Sequence, residues 1–161
     1  MTIAVGDKLP ETKFFVPADD EIAEKTTSEI FAGKKIALFA VPGAFTPTCS
    51  NNHLPGFLAN ADAFKAKGID EIACVAVNDV FVLKAWAMAT GADGRITFLS
   101  DGNAEFARAV GLDIDRSDRN QGTRSKRYAM LVEDGIVKAL HVEDAPSNAV
   151  ESSAENLLKA I

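Results

Sequence analysis

Residues 36–49 of the chain read IALFAVPGAFTPTC and carry the strongest fold signal in the sequence. The first part, Ile36–Val41, is apolar without interruption, which is the pattern of a strand buried on both faces of a sheet. A proline and a glycine then end the strand. Thr46 followed by Pro47 is typical of a helix start, because threonine caps helix N-termini and proline is tolerated where no backbone donor is needed. The stretch therefore predicts a buried strand that passes through a tight turn into a helix.

Beyond this stretch, apolar runs and amphipathic segments alternate along the chain. The runs predicted as strands are Ile36–Val41, Ile72–Val77, Ile96–Leu99, Tyr128–Val132 and Ile136–Val142. The segments predicted as helices are Leu58–Lys67, Phe81–Thr90, Asn103–Val110 and Ser152–Ile161. Asp134-Gly135 lies between the last two strands, and this dipeptide predicts a hairpin. The order predicts an α/β fold with a central mixed sheet flanked by helices, in one domain over residues 1–161.

Composition and charge restrict the classes of function. Apolar residues make up 47% and charged residues 25% of the 161 residues, which is ordinary for a globular domain. The 17 basic and 23 acidic residues give a net charge of −6, which disfavours nucleic acids and anionic membranes as partners. The sequence shows neither a membrane-spanning run nor a secretory signal, and its two cysteines fit a reducing compartment. We therefore expect a cytoplasmic protein.

Cys49 is the first candidate for chemistry. If Thr46 caps the helix, Cys49 lies in its first turn, where free backbone N–H groups and the helix dipole favour a thiolate over a thiol. A thiolate is the nucleophilic form of cysteine, so a reactive cysteine is expected at such a position. The alternative is that Cys49 is a small buried hydrophobe, which is the commoner fate of a free cysteine. Local sequence leaves both interpretations open.

Two further side chains could act with Cys49. His53 follows it by about one helical turn and could serve as its base, but two side chains on one helix face suit a structural histidine better. Cys74 lies in the middle of a predicted strand and is core filling by default. To resolve oxidised Cys49, it would need a Cα–Cα distance within about 7 Å or local unfolding. A zinc site made of both cysteines and both histidines matches no known ligand spacing.

The segment 113–127 holds four of the six arginines of the chain. Arg116 and Arg119 alternate with aspartates, which is typical of a solvated loop. Arg124 precedes the predicted strand Tyr128–Val132 and could reach an anion or thiolate site, although a surface position fits its spacing equally well. The chain has no Gly-rich phosphate loop, nucleotide fingerprint or paired-carboxylate pattern, so no cofactor or metal is expected.

The stretch PGAFTPTCS at residues 42–50 resembles the peroxidatic-cysteine signature of peroxiredoxins, and more narrowly that of their type II, peroxiredoxin-5-like subfamily. The likeness covers nearly the whole chain. It continues in His53–Phe57, Val77–Asp79, Phe81–Trp86, Gly122–Tyr128 and Val132–Gly135. The resemblance implies a thioredoxin-like fold.

The resemblance also implies roles for individual residues. Cys49 corresponds to the peroxidatic cysteine, and Thr46 to the threonine whose hydroxyl contacts both thiolate and peroxide. Pro42 resembles the proline that shields the site, and Arg124 the arginine that polarises thiolate and peroxide. Cys74 is similar to the second cysteine of plant-type members and is a possible resolving cysteine. Some members carry a resolving cysteine near the C-terminal helix, but here residues 150–153 read VESS.

The function implied is a thiol-dependent peroxidase in antioxidant defence and cell redox homeostasis. It would reduce hydrogen peroxide and alkyl hydroperoxides through a sulfenic acid on Cys49. Glutaredoxin with glutathione, or thioredoxin, would supply the electrons, and the chain would form a homodimer through a face near Phe45. Two other functions use the same residues. A redox sensor would pass oxidation from Cys49 to a partner by a mixed disulfide, and a binding module would have an inert Cys49.

Overall fold

The computed structural model of the chain describes residues 1–18 and 20–161. The strands are β1 (Lys13–Ala18), β2 (Glu21–Thr26), β3 (Lys35–Val41), β4 (Glu71–Ala76), β5 (Thr97–Ser100), β6 (Asp113–Asp115), β7 (Thr123–Ser125), β8 (Tyr128–Glu133) and β9 (Ile136–Val142). The α-helices are α1 (Thr27–Phe31), α2 (Leu54–Ala59), α3 (Ala61–Ala66), α4 (Val80–Thr90), α5 (Glu105–Ala109) and α6 (Ala154–Leu158). Cys49–His53 forms a π-helical turn directly before α2, and Ser117–Arg119 forms a 3₁₀ turn.

Seven strands form one mixed sheet in the order β2-β1-β5-β4-β3-β8-β9. β3, β4 and β5 pair in parallel, whereas β8 pairs with β3 and β9 with β8 in the antiparallel sense. β6 and β7 form a separate antiparallel pair. The central mixed sheet expected from the apolar runs is confirmed, and β3 lies between its parallel and antiparallel parts.

The two faces of β3 bury alternate side chains in separate clusters. Phe39 belongs to the cluster covered by α2, α3, α4 and α6, and Leu38 to the cluster covered by α1 and α5. Phe57 of α2 stacks between Phe39 and Phe64 of α3, with ring centroids 4.2 and 5.5 Å apart and interplanar angles of 8° and 5°. This stack holds α2, and with it the preceding π-helical turn, against the sheet.

Strong local signals produce the expected elements. Asp79 caps α4, because its Oδ1 accepts a hydrogen bond from the Val82 N–H at 2.9 Å, and Gly91 ends the helix with φ of 73°. The hairpin turn between β8 and β9 has positive φ at both central residues, 49° at Asp134 and 78° at Gly135. Two positive φ values in a two-residue turn are what the Asp-Gly dipeptide allows.

Two expectations need correction. The pattern predicts one helix at Leu58–Lys67, but the structure has α2 and α3 with a break at Asn60, whose φ and ψ are −102° and 10°. The Asn60 amide donates to the Gly56 carbonyl at 2.8 Å and stabilises this break. The β1–β2 hairpin was not expected, because most of β2 is exposed and lacks a buried apolar run.

Within residues 1–18 and 20–161, every helix falls short of the length and hydropathy that crossing a bilayer requires.

Candidate active site

The backbone that carries Cys49 follows the end of β3. Helical residues begin at Pro47, directly after Thr46, as the sequence predicts. The turn between strand and helix is fastened to the end of β4, because the Ala44 N–H donates to Asn78 Oδ1 at 2.9 Å. Cys49 begins the π-helical turn and has no exposed surface. A π-helical turn is rare and often marks a functional site.

Arg127 is the cation in contact with the candidate nucleophile. Its Nη2 donates to Cys49 Sγ at 3.0 Å, and the Arg127 side chain is only 2% exposed. Arg127 directly precedes β8, the antiparallel neighbour of β3. A buried guanidinium at hydrogen-bond distance stabilises negative charge on sulfur, because little water screens the interaction.

Arg124 occupies a different place. Its Nε donates to the Gln121 carbonyl at 2.9 Å and its Nη1 to the Val77 carbonyl at 3.2 Å. The guanidinium lies beside the turn after β3, where a Cβ added to Gly43 would come within 3.3 Å of Arg124 Nη1. The arginine against Cys49 Sγ is therefore Arg127, which corrects the assignment of that role to Arg124. Both arginines precede β8 in one polar segment, and local sequence does not distinguish them.

His53 is buried and joins Arg127 to the C-terminal part of the chain. Its Nε2 lies 2.8 Å from the Ser152 carbonyl oxygen, and its Nδ1 lies 3.0 Å from Arg127 Nη1. A carbonyl oxygen only accepts, so Nε2 carries the proton and Nδ1 accepts from the guanidinium. Burial, together with the charge of Arg127, lowers the pKa of His53 to about 3. At neutral pH, His53 is an uncharged acceptor for Arg127, and its Nδ1 does not face the cysteine.

Pro42 and Thr46 lie in the turn between β3 and the active-site helix, and Cys74 lies in β4 beside β3. The Thr46 hydroxyl donates to the Gly43 carbonyl at 2.6 Å, which leaves its oxygen free to accept, and Pro42 is buried at the end of β3. Cys74 lies opposite Phe39 in the β3–β4 pair and is fully buried, in the same apolar cluster as Cys49. Burial raises the pKa of Cys74 well above its usual range. Both cysteines are free thiols.

No group of three His, Cys, Asp or Glu side chains in the described part of the chain lies close enough to hold a metal ion. The side-chain groups that meet at the site are the Cys49 thiol, the Arg127 guanidinium and the His53 imidazole. This combination suits a nucleophilic thiolate.

The neutral state of His53 predicts a loss of stability in acid. Its pKa is lower in the folded chain than the ordinary value of 6.5, so the unfolded chain binds more protons between pH 6.5 and about 3. We expect this group to contribute a loss of about 2 kcal/mol of unfolding free energy between pH 7 and pH 5. Urea unfolding at both pH values measures the loss. His53→Asn should show a smaller loss, and an equal loss in both proteins would contradict the prediction.

Comparisons with known proteins point to one family. The sequence profile of the family described as Redoxin matches residues 4–158. The chain is similar to peroxiredoxin-2E-2, chloroplastic, of Oryza sativa, with 53% identity over 99% of this chain and 73% of the relative. It is also similar to peroxiredoxin-2E, chloroplastic, of Arabidopsis thaliana, with 47% identity over 99% of this chain and 70% of the relative. The crystal structure of reduced Prx3 in complex with H₂O₂ from Vibrio vulnificus has a TM-score of 0.93 and 48% identity, over 99% of this chain and 96% of that chain.

These comparisons confirm the thioredoxin-like fold and overturn one expectation. The predicted cytoplasmic location is wrong as an inference, because both plant relatives are chloroplastic proteins and nothing supports the cytoplasm for this chain. The chain spans 73% and 70% of the length of these two relatives.

Proposed function

The chain belongs to the peroxiredoxins of the redoxin family and is a thiol-dependent peroxidase, and from this membership we propose that Cys49 is its peroxidatic nucleophile and Arg127 the cation that activates it. The 3.0 Å contact between Arg127 Nη2 and Cys49 Sγ is the observation that carries the proposal. Thr46 and Pro42 complete the site in this proposal: Thr46 offers a hydroxyl to peroxide, and Pro42 excludes water.

The proposed reaction is a displacement at the O–O bond. Thiolate Cys49 attacks one peroxide oxygen, an S–O bond forms, and the O–O bond breaks with its electron pair on the leaving oxygen. The leaving hydroxide or alkoxide takes a proton and departs as water or an alcohol, while Cys49 becomes a sulfenic acid. The Arg127 cation stabilises the negative charge that shifts from sulfur to the leaving oxygen, which is where a preorganised donor has its largest effect.

Reduction of the sulfenic acid requires a second thiol. We propose an external one, supplied by glutaredoxin with glutathione or by thioredoxin, because Cys74 is fully buried within the central strand β4. Oxidation beyond the sulfenic acid would inactivate the site.

One oxidation experiment tests the proposal. Reduced protein receives one equivalent of hydrogen peroxide, and intact mass is measured for the wild type, Cys49→Ser and Cys74→Ala. We expect a gain of one oxygen in the wild type and in Cys74→Ala, and no change in Cys49→Ser. A wild type that gains nothing would refute a peroxidatic Cys49. A wild type that loses two hydrogens, while Cys74→Ala gains one oxygen, would show that Cys74 resolves Cys49 and would overturn the external-thiol part.

We also propose a homodimer whose interface includes Phe45. Phe45 is 53% exposed, and its ring centroid lies 6.5 Å from that of Trp86 on α4. Met88, on the same helix, is 65% exposed. Two large exposed apolar side chains near one helix favour association. We expect sedimentation at micromolar concentration to give twice the chain mass of 17.1 kDa, and a species of 17.1 kDa would contradict the dimer.

A further inference from the structure

Three backbone carbonyls of the segment 143–152, which follows β9, accept hydrogen bonds from side chains of the active site. The Pro146 carbonyl accepts from Arg127 Nε at 2.9 Å. The Ser147 carbonyl accepts from Thr48 Oγ1 at 3.2 Å, and the Ser152 carbonyl from His53 Nε2 at 2.8 Å. The segment thus contacts the cation, the start of the active-site helix and the buried histidine together.

We propose that His53 is a positioning residue for Arg127, and that through His53 the segment 143–152 holds the guanidinium within hydrogen-bond distance of Cys49 Sγ. This inference rests on the proposed function. A guanidinium is a rigid plane, so acceptors at two of its nitrogens determine where the third points. The Pro146 carbonyl accepts a hydrogen bond from Arg127 Nε, and His53 Nδ1 accepts one from Nη1. These two contacts direct Nη2 toward Cys49 Sγ.

Ser152, whose carbonyl accepts from His53 Nε2, is itself held by hydrogen bonds. The Ser152 N–H and hydroxyl both donate to Glu143 Oε2 at 2.6 Å, and the Glu143 N–H donates to the Arg127 carbonyl at 3.0 Å. The hydrogen bonds therefore run in a closed ring from Arg127 through His53, Ser152 and Glu143 back to Arg127. All four side chains are 8% exposed or less, so a broken bond would leave a polar group buried and unpaired. Such a ring has one favoured arrangement.

A neutral imidazole is well suited to this position. It supplies an acceptor at Nδ1 and a donor at Nε2 on opposite sides of one rigid ring. The acceptor meets the Arg127 guanidinium and the donor meets the Ser152 carbonyl. A carboxylate would lack the donor, and an alkyl side chain would lack both. His53 is thus distinct from a general base, since its acceptor Nδ1 is already occupied by Arg127 Nη1.

Two substitutions of His53, one that keeps an acceptor and one that keeps neither polar group, test the positioning role. His53→Asn keeps an acceptor close to the place of Nδ1, whereas His53→Leu removes acceptor and donor. We expect His53→Leu to lower the second-order rate constant for oxidation by hydrogen peroxide tenfold to hundredfold, the range seen when a partner that orients a reactive group is lost. The thiolate absorbance at 240 nm, measured at one pH, should fall with it. His53→Asn should recover most of both.

The controls separate this inference from the proposed function. His141→Leu alters the only other histidine, which lies on β9, and should react as fast as the wild type. If the wild type reacts normally and His53→Leu matches it, or if His53→Asn falls as far as His53→Leu, the positioning role is overturned while the function stands. If the wild type itself does not react, the proposed function fails instead.

A double-mutant cycle tests the part played by segment 143–152, and does not need His53→Leu to fold well. Glu143→Gln weakens the hydrogen bonds that Glu143 accepts from Ser152. Like His53→Asn, it should lower the oxidation rate constant. Because the two residues act on Arg127 through one ring, the double variant should lose less than the product of the single losses. Independent, multiplicative losses, or no loss in Glu143→Gln, would overturn the coupling.

Discussion

Replacing Arg127 by glutamine is expected to lower the rate constant for oxidation by hydrogen peroxide by about a hundredfold to a thousandfold, the range found when one preorganised donor is removed from developing negative charge. The loss has two sources, because the Arg127 cation stabilises both the attacking sulfur and the leaving oxygen. Stopped-flow fluorescence of Trp86 can measure it. This single tryptophan donates from Nε1 to Ser50 Oγ at 3.0 Å and reports directly on the active-site helix.

Arg124→Gln is the matched control for this prediction. Arg124 donates to the Val77 and Gln121 carbonyls near the turn that precedes the site, so its loss should reduce the same rate constant by less than about tenfold, or 1.4 kcal/mol. Arg127→Lys keeps the positive charge but loses the planar guanidinium. Its rate constant for oxidation should lie between those of Arg127→Gln and the wild type. A larger loss in Arg124→Gln than in Arg127→Gln would restore the assignment made from sequence alone.

The largest loss of stability is expected from Phe57→Ala. The Phe57 ring has no exposed surface and stacks between two other phenylalanines, at 4.2 and 5.5 Å. Removing it leaves a cavity between α2, α3 and the sheet, and such losses cost about 3–5 kcal/mol. Denaturant unfolding monitored by Trp86 fluorescence gives the change in the free energy of unfolding.

Phe81→Ala provides the comparison for Phe57→Ala with the same change of side chain. Phe81 is 69% exposed at the start of α4, so its loss should change the free energy of unfolding by about 0.5 kcal/mol or less. Similar effects of the two substitutions would mean that the aromatic stack does not hold α2 to the sheet.

The elements predicted well are those whose signals are local. The buried run of β3, the helical segment of α4 and the Asp134-Gly135 turn each act over a few residues, so sequence alone reveals them. β2 carries no such signal, since it lies at the edge of the sheet and is mostly exposed. The break at Asn60 depends on a side-chain bond to the Gly56 carbonyl that the periodicity of apolar residues does not encode.

The residues of the active site also fall into those that local sequence reveals and those that only the folded chain brings to the site. Cys49 and Thr46 lie in one short motif, whose strand, turn and helix start point to a reactive thiol. Arg127 and Ser152 reach the site from far along the chain, since 78 residues separate Cys49 from Arg127 and 99 separate His53 from Ser152. Arg124 and Arg127 have the same local environment in the sequence, and only the pairing of β8 with β3 distinguishes them.

The separation of Cys49 from Arg127 has a consequence for protein synthesis. At roughly 5–20 residues per second, a ribosome makes Cys49 about 4–16 s before Arg127. During that interval β3 also lacks its partner β8, because β8 directly follows Arg127 in the chain. A nascent chain, or a fragment, that ends before Arg127 therefore carries a cysteine without its activating cation. Incomplete translation products should be unreactive toward peroxide, so that peroxidase activity arises only when the sheet is complete.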